Sequence, residues 1–294
     1  MVPSYPTRLP TLPVLGDVAV ADGTVEGLAG LVAASDVVVL SGAGLSTESG
    51  IPDYRGPSGS LRRRMPMTYD EFVGTTQARQ RYWARSYLGW RTITKAEPNA
   101  GHLAVATLQR HGLVDGIITQ NVDGLHQAGG AHDVIELHGT LDDVVCLSCR
   151  TRSSRQAHDT RLRDANPDFA AEVSRVNPDG DAELADDVVA GFHLVGCAGC
   201  GSDRLKPDVV FFGENVPRER VEACYALVDR AQALLVLGSS LTVMSGLRFV
   251  RYAAKHGKAV AIVNQGRTRG DGHATLRLDA PLGTTLTALC AAVT

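Results

Sequence analysis

No apolar run in the chain approaches the roughly 18 residues that a membrane span requires. Charge of one sign is also missing: 29 Lys and Arg stand against 32 Asp and Glu, for a net charge of −3. That balance gives no electrostatic case for a nucleic-acid or anionic-lipid partner. The first twenty residues do not read as a secretory leader, since they hold four prolines and a single arginine around no apolar core. Residues 1–23 therefore read as an extended arm on a cytoplasmic protein. Internal repeats are not evident.

Cysteine is present six times, but not as the scattered framework of a small secreted domain. Four cysteines form two Cys-x-x-Cys pairs, Cys146/Cys149 and Cys197/Cys200, while Cys224 and Cys290 lie apart in apolar helical settings. Paired Cys-x-x-Cys in a long chain of this kind points to zinc. Four thiolates with no nearby fifth ligand describe a closed tetrahedral site that staples a module and leaves no position for catalytic water. A redox dithiol is the lesser reading, because the motif occurs twice.

At 294 residues with 44% hydrophobic content, the chain can bury a large core and reads as one large and one small domain. Short apolar runs at Val37–Leu40, Gly116–Thr119, Val134–Leu137, Val209–Phe212, Leu234–Leu237 and Ala259–Val263 alternate with helical stretches. The helices are expected at Thr24–Ala34, Thr68–Ile93, Pro98–Gly112 (Leu103, Ala106 and Leu108 inward), Arg218–Ala231 and Leu241–His256. Strands alternating with helices imply βαβ units and a parallel sheet. The fold class is α/β: a Rossmann-like parallel sheet with a smaller inserted zinc-binding and helical domain. Its sheet domain spans 24–140 and 209–294, with a helical insertion at about 57–95; residues 141–208, bracketed by the cysteine pairs, form the zinc-binding module. Phe72, Tyr82, Trp83, Tyr87 and Trp90 stripe the helical insertion and read as packing.

The chemistry concentrates after the strands, where parallel sheets bind ligands. Ser41-Gly-Ala-Gly-Leu-Ser-Thr-Glu-Ser-Gly-Ile-Pro-Asp-Tyr-Arg-Gly56 follows the first one. Gly42 and Gly44 suit a sharp turn and close approach of backbone N–H groups to a pyrophosphate. The third glycine of a dinucleotide fingerprint is missing, Thr47 standing in its place. Gln120, Asn121 and Asp123 form a polar cluster at the next strand end, which serves equally as a turn device or a binding site. His138 follows an apolar strand and precedes Gly139, so its imidazole is placed to act as a general base, or as a hydrogen-bonded structural histidine. His126 and His102 have weaker claims.

Taken together, Gly42–Ser46 with Ile51–Arg55, Thr119–His126, Glu136–Gly139, the two cysteine pairs, Lys206–Glu214 and Gly238–Ser240 resemble the sirtuins, over about residues 25–290. Arg81–Trp90 and Asn177–Asp181 are similar to the class II branch, which includes the mitochondrial lipoamidase-type sirtuin. The resemblance implies an NAD-dependent protein lysine deacylase that releases nicotinamide and O-acyl-ADP-ribose. It implies that Gly42, Ala43, Gly44, Ser46, Thr47, Pro52, Asp53, Tyr54 and Arg55 surround the pyrophosphate and nicotinamide ribose. Gln120, Asn121, Val122 and Asp123 would hold ribose and carboxamide, His138 would be the base aided by Asn121 and Asp123, and Gly238, Ser239, Ser240, Asn264, Gln265, Gly266 and Leu282 would line the adenosine end.

The same resemblance implies one structural zinc on Cys146, Cys149, Cys197 and Cys200, a monomer, and acyl-lysine proteins or peptides added as a strand against Val209–Gly213 and the loop around Gly191–Val195. Family members that prefer succinyl or malonyl groups carry Tyr-x-x-Arg just after the glycine loop, where this chain has Ser58–Arg64 and no tyrosine. Mono-ADP-ribosyl transfer and lipoamidase-type deacylation would use the same pocket. A scaffold that binds nucleic acid through Arg150–Arg163, and a dehydrogenase, are the other readings.

Overall fold

The computed structural model describes residues 23–56, 66–170, 177–182 and 184–294. Residues 1–22 of the expected arm, and the Ser58–Arg64 stretch, lie outside them. In chain order the elements begin with α1 (Val25–Ala33), β1 (Val37–Ser41), α2 (Tyr69–Gly74), α3 (Thr76–Ile93), α4 (Ala100–Arg110), β2 (Gly116–Thr119), α5 (Leu125–Ala128) and β3 (Val134–Glu136). Then come β4 (Gly139–Cys146), β5 (Arg152–Ser154), α6 (Arg155–Ala165), α7 (Asp186–Ala190) and β6 (Leu205–Val209). The chain closes with α8 (Arg218–Arg230), β7 (Ala233–Leu237), α9 (Met244–Lys255), β8 (Ala259–Val263), β9 (Leu276–Leu278) and α10 (Leu282–Val293).

The large sheet is wholly parallel in the order β3-β2-β1-β7-β8-β9. All five residues of β1 are buried because helices cover both faces of the sheet. Val37 and Val39 pack into a layer with Leu28, Val105, Leu108, Leu286 and Leu289, while Val38 and Leu40 face Leu227, Leu247, Phe249 and Val250. Strand order reverses between β1 and β7, which opens a crevice past their carboxyl ends. The candidate active site gathers there.

The second sheet is antiparallel, β5-β4-β6. The expected strand at Val209–Phe212 lies instead at Leu205–Val209, outside the parallel sheet. Lys206-Pro-Asp conceals it: β6 is an edge strand, where proline is tolerated. Lys206, 3% exposed, is satisfied by an ion pair with Glu214 at 3.1 Å and by donating to the Val209 carbonyl. The helix expected at Thr68–Ile93 is two, broken at Thr75, whose extended backbone caps α3 through its side-chain oxygen and the Ala78 N–H at 3.0 Å. The aromatic stripe packs as expected, with Phe72, Tyr82, Trp83 and Tyr87 buried beside Leu162 and Phe192. Leu103 departs from expectation, being 50% exposed, and α4 turns Ala104, Val105, Ala106 and Leu108 inward instead. Arg155, the centre of the basic run, is fully buried between the Trp83 and Trp90 rings and therefore offers nothing to a phosphate backbone.

Candidate active site

The crevice is a cavity of about 470 Å³, within the usual range for a small-ligand site. Its floor is backbone packed on backbone. The Gly42 N–H donates to the Leu237 carbonyl at 2.9 Å and the Gly44 N–H to Gly238 at 2.8 Å. A Cβ on Gly44 would sit 2.8 Å from the Gly238 carbonyl oxygen, so a side chain there would push the two strand ends apart. Both glycines are thus required by close approach, and the resulting cradle is open on the cavity side.

The polar cluster at the end of β2 is bound directly to this cradle. Asn121 donates to the Gly42 carbonyl at 3.1 Å and to Ser46 Oγ at 3.0 Å, while Ser46 in turn donates to Asp123 Oδ2 at 2.7 Å. Gln120 donates to Ser239 Oγ at 2.7 Å, bridging β2 and β7 across β1. Three segments distant in sequence are therefore held in one preorganised set of donors and acceptors. His126 and His102 stand behind it, fully buried and ring against ring at 5.2 Å.

His138 occupies the cavity wall beside this cluster. Nδ1 lies 2.9 Å from the Gln120 carbonyl oxygen, which can only accept, so Nδ1 carries the proton. Nε2 is then a lone pair, and the Ser245 hydroxyl donates to it at 2.8 Å. Desolvation pulls the imidazole down to about 4, Arg220 adds to that, and the Gln120 hydrogen bond opposes it. A neutral ring with one fixed tautomer is what a general base requires.

Most of the residues named from sequence line the cavity: Gly42, Ala43, Gly44, Ser46, Asp53, Tyr54 and Arg55 on one side, with Gln120, Asn121, Val122, Asp123 and His138 beside them. Gly238, Ser239, Ser240, Asn264 and Gln265 close the far end. Thr47, Pro52, Gly266 and Leu282 do not line it. Thr47 instead donates to the Gly44 carbonyl at 2.9 Å, fixing the turn, and Leu282 lies in the core. Sequence reasoning passed over Ser245, Arg248 and Arg267, which line it as well. The signal available was a helix start after a Gly-Ser-Ser strand end, with polar residues on its first turns.

A second end of the cavity reaches the small sheet. Ile51, Met67, Tyr82, Val209 and Phe211 form an apolar wall, and Pro178, Asp179 and Asp181 stand beyond it. Burial raises the Asp179 carboxyl above its ordinary value, with Arg85 opposing. Burial likewise raises the Tyr54 and Tyr82 hydroxyls, and Asp179 adds to both. Asp181 pairs with Arg85 at 3.0 Å with both side chains at most 5% exposed.

Whether NAD fits can be tested on the walls themselves. The glycine cradle leaves backbone room that a Cβ would fill, and Arg55 Nη2 is buried without a hydrogen-bond partner among the described residues, as suits an anionic or ribose oxygen. The four module cysteines also meet their test. Their Sγ atoms lie within 4.8 Å of one another, with Cys146–Cys200 and Cys149–Cys197 both at 3.7 Å. A tetrahedral zinc with Zn–S of about 2.3 Å requires sulfur separations of roughly 3.8 Å. The donor set fits zinc.

The fold and site define a Rossmann-type dinucleotide-binding protein with a four-cysteine metal module. Residues 42–245 match the model of the Sir2 family. The chain is 62% identical over 254 residues to "NAD-dependent protein deacetylase 1" of Streptomyces coelicolor, spanning 86% of this chain and 85% of that relative. It is 48% identical over 257 residues to "NAD-dependent protein deacetylase" of Bordetella bronchiseptica, spanning 87% and 93% respectively. Among solved structures, one described as "Sir2-p53 peptide-NAD+" superposes with a TM-score of 0.71 at 30% identity, covering 90% of this chain and 96% of that one. Another, described as "Structural Basis for the Mechanism and Regulation of Sir2 Enzymes", gives 0.72 at 30% identity over 92% and 97%. The chain belongs to the Sir2 family.

Proposed function

We propose that the protein is an NAD-dependent protein lysine deacylase, acting as a deacetylase. It transfers the acyl group of a modified lysine to the ADP-ribose part of NAD and releases nicotinamide. The observation that carries this reading is His138, neutral and of fixed tautomer, set in the same cavity wall as the Gln120–Asp123 cluster and the glycine cradle. NAD supplies the electrophilic sugar carbon and the hydroxyl that ends up acylated. Ala43, Gly44 and Ser46 hold the pyrophosphate, Asp53, Tyr54 and Arg55 cover the nicotinamide ribose, and Asn121 and Asp123 orient the reacting end. Gly238, Ser239, Ser240, Asn264 and Gln265 receive the adenosine half. A dry, prearranged pocket favours departure of nicotinamide, because positive charge builds at the sugar carbon.

The acyl-peptide lies along Val209–Gly213 and near Gly191–Val195 as an added strand. Support comes from the rigidity of that segment: the Val210 N–H donates to the His138 carbonyl at 2.7 Å, and Glu214 accepts from the Phe211 N–H at 2.8 Å while pairing with Lys206. Zinc on the four cysteines is structural. The division into a sheet domain at 24–140 and 209–294 and a module at 141–208 follows the two sheets, and the enzyme is taken as a cytoplasmic monomer. Among the described residues no helix is long and apolar enough to cross a membrane.

The finer class II reading, with lipoamidase-type deacylation as its variant, is favoured by one contact. Arg85 belongs to the Arg81–Trp90 segment and Asp181 to the Asn177–Asp181 turn, and their buried ion pair makes the two segments one unit at the cavity end. The carboxyl groups there favour neutral acyl chains over acidic ones. Incubation with NAD and a panel of acylated lysine peptides, following nicotinamide release, tests the proposal. NAD binding without turnover of any acyl group would overturn it.

A further inference from the structure

We propose that Ser245 is a proton relay that connects His138 to the sugar hydroxyl of the bound co-substrate. The inference rests on the reading of His138 as base and adds a residue to it. Two geometric facts carry it. Nδ1 of His138 is committed to the Gln120 carbonyl at 2.9 Å, so only Nε2 can receive a proton. That atom faces the Ser245 hydroxyl at 2.8 Å, and Ser245 itself lines the cavity. The base therefore lines the ligand space with its one available nitrogen hydrogen-bonded to a hydroxyl that lines the same space.

Ser245 is well placed to hold such a position. It lies in the first turn of α9, directly before Gly246, where a Cβ would be 2.6 Å from Gln120 Oε1. The absence of a side chain at Gly246 lets α9 press against the β2 end, and so brings Ser245 to the imidazole. Gln120 is thus shared: its backbone fixes the tautomer of His138, and its side chain sits against the helix that supplies the relay. The hydroxyl also differs from an apolar neighbour in what it can pass on. Its oxygen accepts a proton from the sugar hydroxyl while its own proton moves to Nε2. One O–H bond breaks and one forms at Ser245, an N–H bond forms at His138, and the sugar oxygen is left as the nucleophile toward the acyl carbon. His138 ends as imidazolium.

The charges that act on that imidazolium come from three directions. Arg220 on α8 opposes it, though Arg220 is held by Asp208 at 2.8 Å. Arg248 on α9 lines the same cavity, and the Asp123 carboxylate is engaged by Ser46. No carboxylate hydrogen-bonds to His138 among the described residues, so the Ser245 hydroxyl is the group that directly meets Nε2.

Ser245→Ala, Ser245→Thr and His138→Ala in the full chain test the relay. In the free protein, nitrogen NMR of the His138 ring is expected to show the titration moving upward in Ser245→Ala, because a donor to the neutral form is lost. With NAD and an acetyl-lysine peptide, Ser245→Ala is expected to keep nicotinamide exchange within about twofold and to lose deacetylation by about a hundredfold, the lower end of the range for a proton-transfer group. Ser245→Thr, which restores a hydroxyl, is expected to recover most of it. An unmoved titration, wild-type deacetylation in Ser245→Ala, or parallel loss of exchange and deacetylation would each overturn the relay. Deacetylation by His138→Ala would instead overturn the reading of His138 as the base.

Discussion

Glu48 Oε1 accepts a hydrogen bond from the backbone N–H of Gly283 at 3.0 Å, which seats the carboxylate at the N-terminus of α10. The pairing suits the helix dipole, and it ties the cofactor loop to the far end of the chain. The loop from Glu48 to Arg55 is therefore anchored at its start. Glu48→Ala is expected to cost about 0.3–1 kcal/mol of stability, the range for an exposed carboxylate at a helix N-terminus. It is also expected to weaken NAD binding severalfold. Thermal denaturation and calorimetric titration check both; unchanged NAD affinity would show that the anchor does not shape the cradle.

Zinc removal is the second prediction. Cys146 and Cys197 are buried and Cys149 and Cys200 exposed, at the edge of a cluster that includes Trp83, Leu162 and Phe192. Chelation is expected to lower the melting temperature and to loosen the module, since metal binding there is folding free energy. Tryptophan fluorescence reports it directly, because both tryptophans, Trp83 and Trp90, belong to α3 and its packing. An unchanged melting temperature after verified loss of metal would contradict a structural zinc.

A third prediction concerns acid. Burial lowers His126 and His158 to about 3 and His138 to about 4, and lowers His102 as well. These folded values lie below the ordinary one near 6.5, so between about pH 6.5 and 4 the unfolded chain binds the extra protons. Stability is thus complete above about pH 6.5 and falls as pH drops, each histidine adding up to about 1.4 kcal/mol per pH unit. Urea melts from pH 7.5 to 5 are expected to show falling midpoints. Flat midpoints would mean that these rings are solvated.

The fourth prediction addresses acyl choice. Asp179 stands at the cavity end with its carboxyl raised by burial, so a second carboxylate brought there by a dicarboxylic acyl group would be disfavoured. Asp179→Asn is expected to raise the succinyl-to-acetyl turnover ratio by about tenfold, equivalent to ~1.4 kcal/mol. A ratio that stays fixed would place acyl selection elsewhere.

How far the sequence carried these conclusions depended on the kind of interaction. The β-branched runs at Val37–Leu40 and Ala259–Val263 were legible because a strand buried on both faces leaves an unbroken apolar signature. The glycine cradle, the Gln120–Asp123 cluster and His138 were legible because each follows such a strand. β6 was displaced because its burial depends on Lys206 meeting Glu214, a pairing invisible in a local window. The break at Thr75 was missed because apolar spacing runs on across the cap. α10 and β9 went unnoticed; their apolar positions resemble ordinary core helix and edge strand. Ser245 was missed for a different reason: a serine at a helix start reads as a cap, and only the fold brings its hydroxyl to His138.

The most direct measurement is the mass of the products formed from NAD and an acetyl-lysine peptide. The account predicts one nicotinamide and one O-acetyl-ADP-ribose for each lysine freed, with the enzyme's own mass unchanged. ADP-ribose bound to protein, with the acetyl group still on the peptide, would contradict it.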